Sequence, residues 1–230
     1  MANDKKIFLP GVNVSFVLNG EWSDLPAGSV QTADSSALSM KGEGYFTLMS
    51  MYASPQNDVM QFNQDERTIS EIHKAGLDGN SGLLELQSLT TSHGINIVYR
   101  LVKRLISGNV GNNMSYILTI DINGDNRDIW RIQVMTASSN LLDVRNSAVR
   151  QQFMEDKGIS LISGDQKQLN ITTGWSYDPY DSNFTKGILM NLSERREYDD
   201  LFPNHPLSVA RRILKEIIET ICSNEPTAQP

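Results

Sequence analysis

The sequence predicts an α+β fold: a central antiparallel sheet flanked by helices, with a C-terminal loop and helix extension. Three observations carry this reading. Residues 83–91, 95–106, 115–122 and 129–136 alternate apolar and polar side chains with the period of a half-buried strand. The connectors 92–94, 107–113 and 123–126 are short and turn-like, so consecutive strands should pair antiparallel as a meander. Near the end of the chain, Leu207, Ala210, Ile213, Leu214, Ile217, Ile218 and Ile221 form one helical stripe, opposite Arg211, Arg212, Lys215, Glu216 and Glu219.

The remaining elements follow in order. Residues 7–9 and 12–18 read as two short strands around Pro10-Gly11, where proline presets φ and glycine accepts a positive φ. Gly20-Glu-Trp22 ends that unit, and the Ser-, Ala- and Thr-rich stretch 27–41 reads as a loop with at most a weak strand. Residues 45–52 carry apolar side chains on both faces (Phe46, Leu48 and Tyr52; Tyr45, Met49 and Met51), which marks an interior strand. Ile69, Ile72 and Leu77 approximate helical spacing over 65–77. A second helix over 140–157 is expected from Leu141, Val144, Ala148, Phe153 and Met154, opening after Ser138-Ser-Asn140 and ending at Gly158. Pro206 suits the first position of the last helix, where its missing N–H costs nothing. A single domain over 1–230 results: a sheet-plus-helices core over 7–169, a C-terminal extension over 170–223, and a flexible tail over 224–230.

A chain of 230 residues can bury a substantial core, and its 39% apolar content is organised enough to fold. The formal net charge of −7 repels phosphate backbones, so no nucleic-acid partner is expected. The one basic run, Arg100, Lys103 and Arg104, reads as a solvated sheet face, with Lys103 opposite in parity to the two arginines. One cysteine, Cys222, excludes an intramolecular disulfide and a cysteine-based zinc site, and it reads as a small buried hydrophobe continuing the last helix. No secretory signal and no run near the ~20 apolar residues of a membrane span is found. A cytoplasmic location with no membrane partner is therefore expected.

The motifs that carry chemistry are absent or incomplete. Asp121-Ile-Asn123-Gly-Asp125-Asn126 resembles the opening of an EF-hand loop, but Asn126 stands where glycine is needed and Ile132 where the bidentate carboxylate belongs. It reads as a polar hairpin turn. His73, His93 and His205 share no frame that would set two imidazoles on one metal. No nucleophile elbow and no phosphate-cradling glycine loop occurs, so no catalytic residue, metal or cofactor is assigned. The charged run 193–200 mixes signs and reads as a solvated helical turn.

The segment Gly174-Trp-Ser-Tyr-Asp-Pro-Tyr-Asp181, followed by Leu201-Phe-Pro-Asn-His-Pro-Leu-Ser208, is the candidate binding surface. Trp175, Tyr177 and Tyr180 offer aromatic faces, Asp178 and Asp181 offer charge and acceptors, and His205 stands beside the last helix start, whose amides disfavour its protonation. Two accounts compete: a shallow platform for a partner, or Trp175 and Tyr180 folded onto the sheet with Asp178-Pro179 making a turn.

The element order resembles the Mog1/PsbP-like group of α/β/α sandwich proteins. An opening strand, Ile7-Phe-Leu-Pro-Gly-Val12, precedes a second ending near a tryptophan at Asn19-Gly-Glu-Trp22; a helix, a meander and a helix after Met135-Thr136 follow. The resemblance spans residues 7–169, and the segment from Gly174 onward looks like a feature of uncharacterised bacterial relatives. It implies that fold and a non-catalytic binding or assembly role, as in a small-GTPase-binding protein and photosystem subunits. No partner-contact residue carries over.

The leading expectation is thus a non-enzymatic module that binds a protein partner or small ligand through the 174–208 surface or a groove beside the sheet. One alternative is a hydrolase-like enzyme whose site converges from Asp178, His205 and Tyr177. Another is a homo-oligomeric structural protein whose last helix docks on a second copy.

Overall fold

The alternating segments become the strands of one antiparallel sheet, because each has an apolar side to bury and short connectors that fold it back on its neighbour. A computed structural model describes residues 4–9, 13–26, 35–54, 79–106, 113–123, 129–138, 143–159 and 166–223. In chain order these form β1 (Lys5–Phe8), β2 (Val14–Leu18), β3 (Ser23–Asp24), β4 (Ser35–Gly42), β5 (Tyr45–Ser54), β6 (Ser81–Thr90), β7 (Asn96–Ile106), β8 (Asn113–Asn123) and β9 (Ile129–Ser138). The helix α1 (Val144–Lys157) and the short α2 (Gln166–Thr172) follow, then β10 (Ser176–Tyr177), β11 (Met190–Asn191), α3 (Pro206–Thr220) and β12 (Cys222–Ser223). Seven strands make one sheet in the order β3-β4-β5-β9-β8-β7-β6. β5 lies between β4 and β9, interior in the sheet as expected, although only its Met49 and Met51 face is buried and Leu48 on the other is exposed.

One face of this sheet carries the core. Met49, Val134, Leu118 and Leu101 stand opposite one another across β5, β9, β8 and β7, and Met51, Ile132, Ile120 and Tyr99 form the next row. Against them α3 lays Leu207, Ala210, Ile213, Leu214 and Ile217, all buried. Each of the leucine and isoleucine side chains contributes about 1.5–3 kcal/mol. The Thr136 hydroxyl on β9 donates to the Pro206 carbonyl at 2.8 Å and pins the first turn of the helix to the sheet. α3 also packs on β2, the middle strand of a three-stranded sheet β1-β2-β12. There Thr220 acts as a strand surrogate, its hydroxyl accepting from the Val17 amide at 2.9 Å and donating to the Val17 carbonyl at 3.2 Å. The apolar stripe of α3 is therefore consumed within its own fold, and the helix presents to solvent Arg212, Lys215 and Glu219 instead.

On the opposite sheet face, Leu83, Leu86 and Val98 form a smaller cluster. The directly paired Asp121 and Arg131 make a bidentate buried contact there, at 2.7 and 2.9 Å. Asp121 is thus half of a cross-strand ion pair.

Several expectations need correction. The 27–41 stretch ends in an eight-residue strand, β4, whose Leu38 is buried although its neighbours are small and polar. The helix expected over 140–157 begins at Val144 with Asp143 as its cap, accepting from the Asn146 amide at 2.9 Å; Gly158 ends it in the left-handed region at φ 62°. Cys222 does not continue the last helix: it pairs as a strand with Ser15 of β2 and is half-buried. Lys103 is 2% exposed rather than solvated. The helix expected over 65–77, with His73, the turn residues 124–128 and the tail 224–230 lie outside the described residues. No helix among the described residues is long and apolar enough to cross a membrane.

Candidate functional site

The late segment wraps the free edge of β6, and local turn chemistry holds it there. β10 and β11 pair antiparallel and close a loop over 178–189. At its start, Asp178 turns the chain: one carboxylate oxygen accepts from the Tyr180 and Asp181 amides, each at 2.9 Å, beside Pro179. That turn swings Tyr180 onto the β6 edge, where its hydroxyl accepts from the Leu86 amide at 2.5 Å and donates to the Leu86 carbonyl at 3.3 Å. Further on, Ile188 donates to the Ser81 carbonyl at 3.2 Å. Gly82 is required at this crossing, because a Cβ there would stand 1.7 Å from the Ile188 carbonyl oxygen. An otherwise open strand edge is thereby covered.

Burial pushes the Tyr180 hydroxyl up to about 12 from the usual 10.0, with the Glu85 charge adding to the shift and the Leu86 backbone opposing it. The folded state thus holds this proton more tightly than the unfolded chain does. Its contribution to stability is complete below pH 10 and declines as pH rises toward 12. Tyr180→Phe should lower stability at neutral pH by about 1–2 kcal/mol through the lost backbone bonds. It should also flatten the alkaline limb in urea titrations; an unchanged limb would assign that limb to other groups.

The proposed site residues end in different places. Trp175 is 3% exposed, with its ring 5.4 Å from that of Phe153 and under the Arg150 guanidinium at 5.8 Å, so it anchors the segment rather than forming a platform. Asp178 is 8% exposed and spent on its turn. Asp181 is exposed and accepts from the Asn183 amide at 2.9 Å. Tyr177 and Tyr180 are half-buried walls of a common groove. His205 caps α3, its Nδ1 accepting from the Leu207 amide at 3.2 Å, while Nε2 faces an Asp143 oxygen at 3.4 Å. Asp143 and His205 therefore tie the starts of α1 and α3 together. Burial alone would raise the Asp143 carboxyl, but hydrogen bonds from His205 and the Asn146 amide and the charge of Arg145 hold it below its usual value. The carboxylate paired with His205 is Asp143, not Asp178, and both imidazole nitrogens are engaged.

The larger departure is the run 193–200. It forms two short 3-10 turns, Leu192–Glu194 and Arg196–Tyr198, and Ser193 and Glu194 are buried. Glu194 turns inward to Lys103 at 2.6 Å, accepts from the Tyr116 hydroxyl at 3.3 Å, and accepts from the Asn191 amide at 2.8 Å in a capping box. Arg145, 1% exposed, threads from α1 into the run and donates to the Ser193 carbonyl, the Arg195 carbonyl, Asp199 and Ser208, at 2.5–2.8 Å. Arg211 from α3 meets Glu85 at 2.6 Å, Asp199 at 3.0 Å and the Glu194 carbonyl at 2.7 Å. Glu85 is shared with Arg196, which also donates to the Tyr99 hydroxyl at 3.3 Å. A local reading of charge cannot see these partners, because they come from β6, β7, α1 and α3.

Arg195 is the exception. Its backbone is extended between the two turns and fixed by Arg145, so its side chain is thrown outward. Nε donates to the Tyr177 hydroxyl at 3.2 Å, and the guanidinium lies 5.7 Å from that ring. The hydrogen bond to Tyr177 raises its pKa further. Among the described residues no carboxylate stands within ion-pair distance of it. Arg195 and Tyr177 border a groove of about 340 Å³ whose other walls include Glu85, Gln87, Tyr99 and Tyr180. A second cleft of about 550 Å³ beside α3 shares Arg196 and Arg211 with it.

Glu85, Glu194 and Asp199 face cations, Asp178 and Asp181 accept from backbone amides, and His205 caps a helix. Among the described residues no three His, Cys, Asp or Glu side chains converge as metal ligands. The fold and site define an α+β protein with a cationic, tyrosine-walled groove at a sheet edge. No protein-family model matches the chain, and a comparison with curated proteins returns no match.

Proposed function

We propose that this protein is a non-enzymatic binding module, and that the groove between β6 and the late segment receives its partner or ligand. One observation carries the reading: the buried ion network spends its charges internally, while the guanidinium of Arg195, rigidly mounted and without a carboxylate in ion-pair distance among the described residues, faces solvent at the mouth of an aromatic groove. Groups held in place before binding lose less entropy on association. The resemblance of residues 7–169 to the Mog1/PsbP-like group, whose members mostly bind or assemble, is part of this proposal. A cytoplasmic setting belongs to the same proposal.

The test is a photo-crosslinking amino acid placed at Gln87, on the groove wall, or at Asp24, on the opposite edge strand of the sheet. In native lysate, adducts should form from position 87, be competed by unlabelled wild type, and be absent from position 24. Equal labelling from both positions would remove the groove from consideration.

A further inference from the structure

The groove's hydrogen-bonding balance identifies the chemistry of its occupant. Arg195 spends only Nε, on Tyr177, so its two terminal nitrogens lack an acceptor among the described residues. The Tyr177 hydroxyl accepts that bond, and its own proton has no acceptor among them either. Arg196 adds a further donor, since Glu85 and Tyr99 engage Nε and Nη2 but not Nη1. Several donors thus converge on the groove mouth, and the acceptors in reach, Glu85 and the Gln87 side-chain Oε1, are already engaged. A surplus of donors around a planar guanidinium fits an oxyanion, which a guanidinium fork binds through two parallel bonds.

Arg196 and Arg211 face Glu85 and Asp199, and Asp199 is shared with the buried Arg145, while Arg195 has only the longer-range field of Glu197. At the groove mouth the outward-facing fork of Arg195 offers two parallel bonds, the pattern that a single carboxylate accepts. The tyrosine walls beside the cation favour an aromatic body next to the acid group.

We infer that the groove binds an aromatic carboxylate, seating its acid group on Arg195 and the Tyr177 hydroxyl and its ring among Tyr177, Tyr180 and Tyr99. This rests on the binding-module reading above. Its source is a free small acid or the C-terminus of a peptide, which present the same group.

The test is calorimetric titration with N-acetylphenylalanine, its carboxamide, phenyl phosphate and a tetrapeptide ending in phenylalanine, with the Arg195 Nε–H signal followed by NMR. The acid should bind and move that signal, and the carboxamide should bind roughly ten- to hundredfold more weakly, the worth of a charge-assisted contact. Arg195→Gln and Tyr177→Phe should each weaken the acid while leaving the carboxamide unchanged. Both variants keep the Arg195 carbonyl that Arg145 holds, so the fold survives them. Tighter binding of the tetrapeptide assigns a chain terminus, and equal binding assigns a free acid; either supports the inference. Equal binding of acid and carboxamide, tighter binding of phenyl phosphate, or no binding at millimolar concentration overturns it. If crosslinking from position 87 persists while every acid fails, the groove remains the binding site and only the ligand class falls.

Discussion

Arg145→Met is expected to lower the unfolding free energy by about 3–5 kcal/mol, the cost of removing one partner from a buried charge network. The physical reason is the number of separate pieces this one side chain joins. It reaches from α1 to two carbonyls of the 193–195 run, to Asp199, and to Ser208 in the first turn of α3. Methionine fills part of the volume and satisfies none of the four. Arg145→Lys should recover little, because an ammonium is a compact donor that cannot span acceptors set around a planar fork. The comparison that decides the matter is Val149→Ala, the other buried position of α1, which loses two methyl groups at ~0.8 kcal/mol each. If urea denaturation gives Arg145→Met a cost no larger than Val149→Ala, α1 is held by apolar contact and the ion network is incidental.

Lys103→Met carries the next largest expectation, again about 3–5 kcal/mol at neutral pH. Lys103 and Glu194 have side chains 3% and 4% exposed and meet at 2.6 Å. Removing the lysine leaves a carboxylate with the Tyr116 hydroxyl and the Asn191 amide, but without its counter-charge. Glu194→Gln should cost less, because an amide can still accept from the Asn191 amide and preserve the turn. The double variant Lys103→Met with Glu194→Gln should be more stable than the sum of its singles by at least about 1 kcal/mol, the coupling of groups in direct contact. Strict additivity would mean that the pair contributes nothing beyond its separate bonds.

Much of the fold was legible because its periodicities are strong and local. The stripe from Leu207 to Ile217 and the proline opening α3 define that helix without reference to anything else. The meander strands β6 to β9 follow their alternation to within a few residues at each end. β4 was harder, since serines and alanine give a strand little apolar contrast when only Leu38 is deeply buried. The site was legible in outline only. The 174–181 segment does border the groove, but Trp175 and Asp178 serve its folding while Tyr177 and Tyr180 face the cavity. Arg195 and Arg196 lay within a run whose mixed signs suggested local pairing. Their actual partners are 18 and 111 positions away, and no window of sequence holds both ends of such contacts.

The pairing of Cys222 with Ser15 has a consequence for how the molecule is made. Position 15 leaves the ribosome early and waits, its outer edge unmatched, until position 222 emerges. The same delay applies to the sheet face that α3 covers, since that helix is supplied by residues 206–220. Closure is therefore governed by contacts distant in the chain, which form slowly. Until then the nascent polypeptide exposes a broad greasy surface of the kind that chaperones shield.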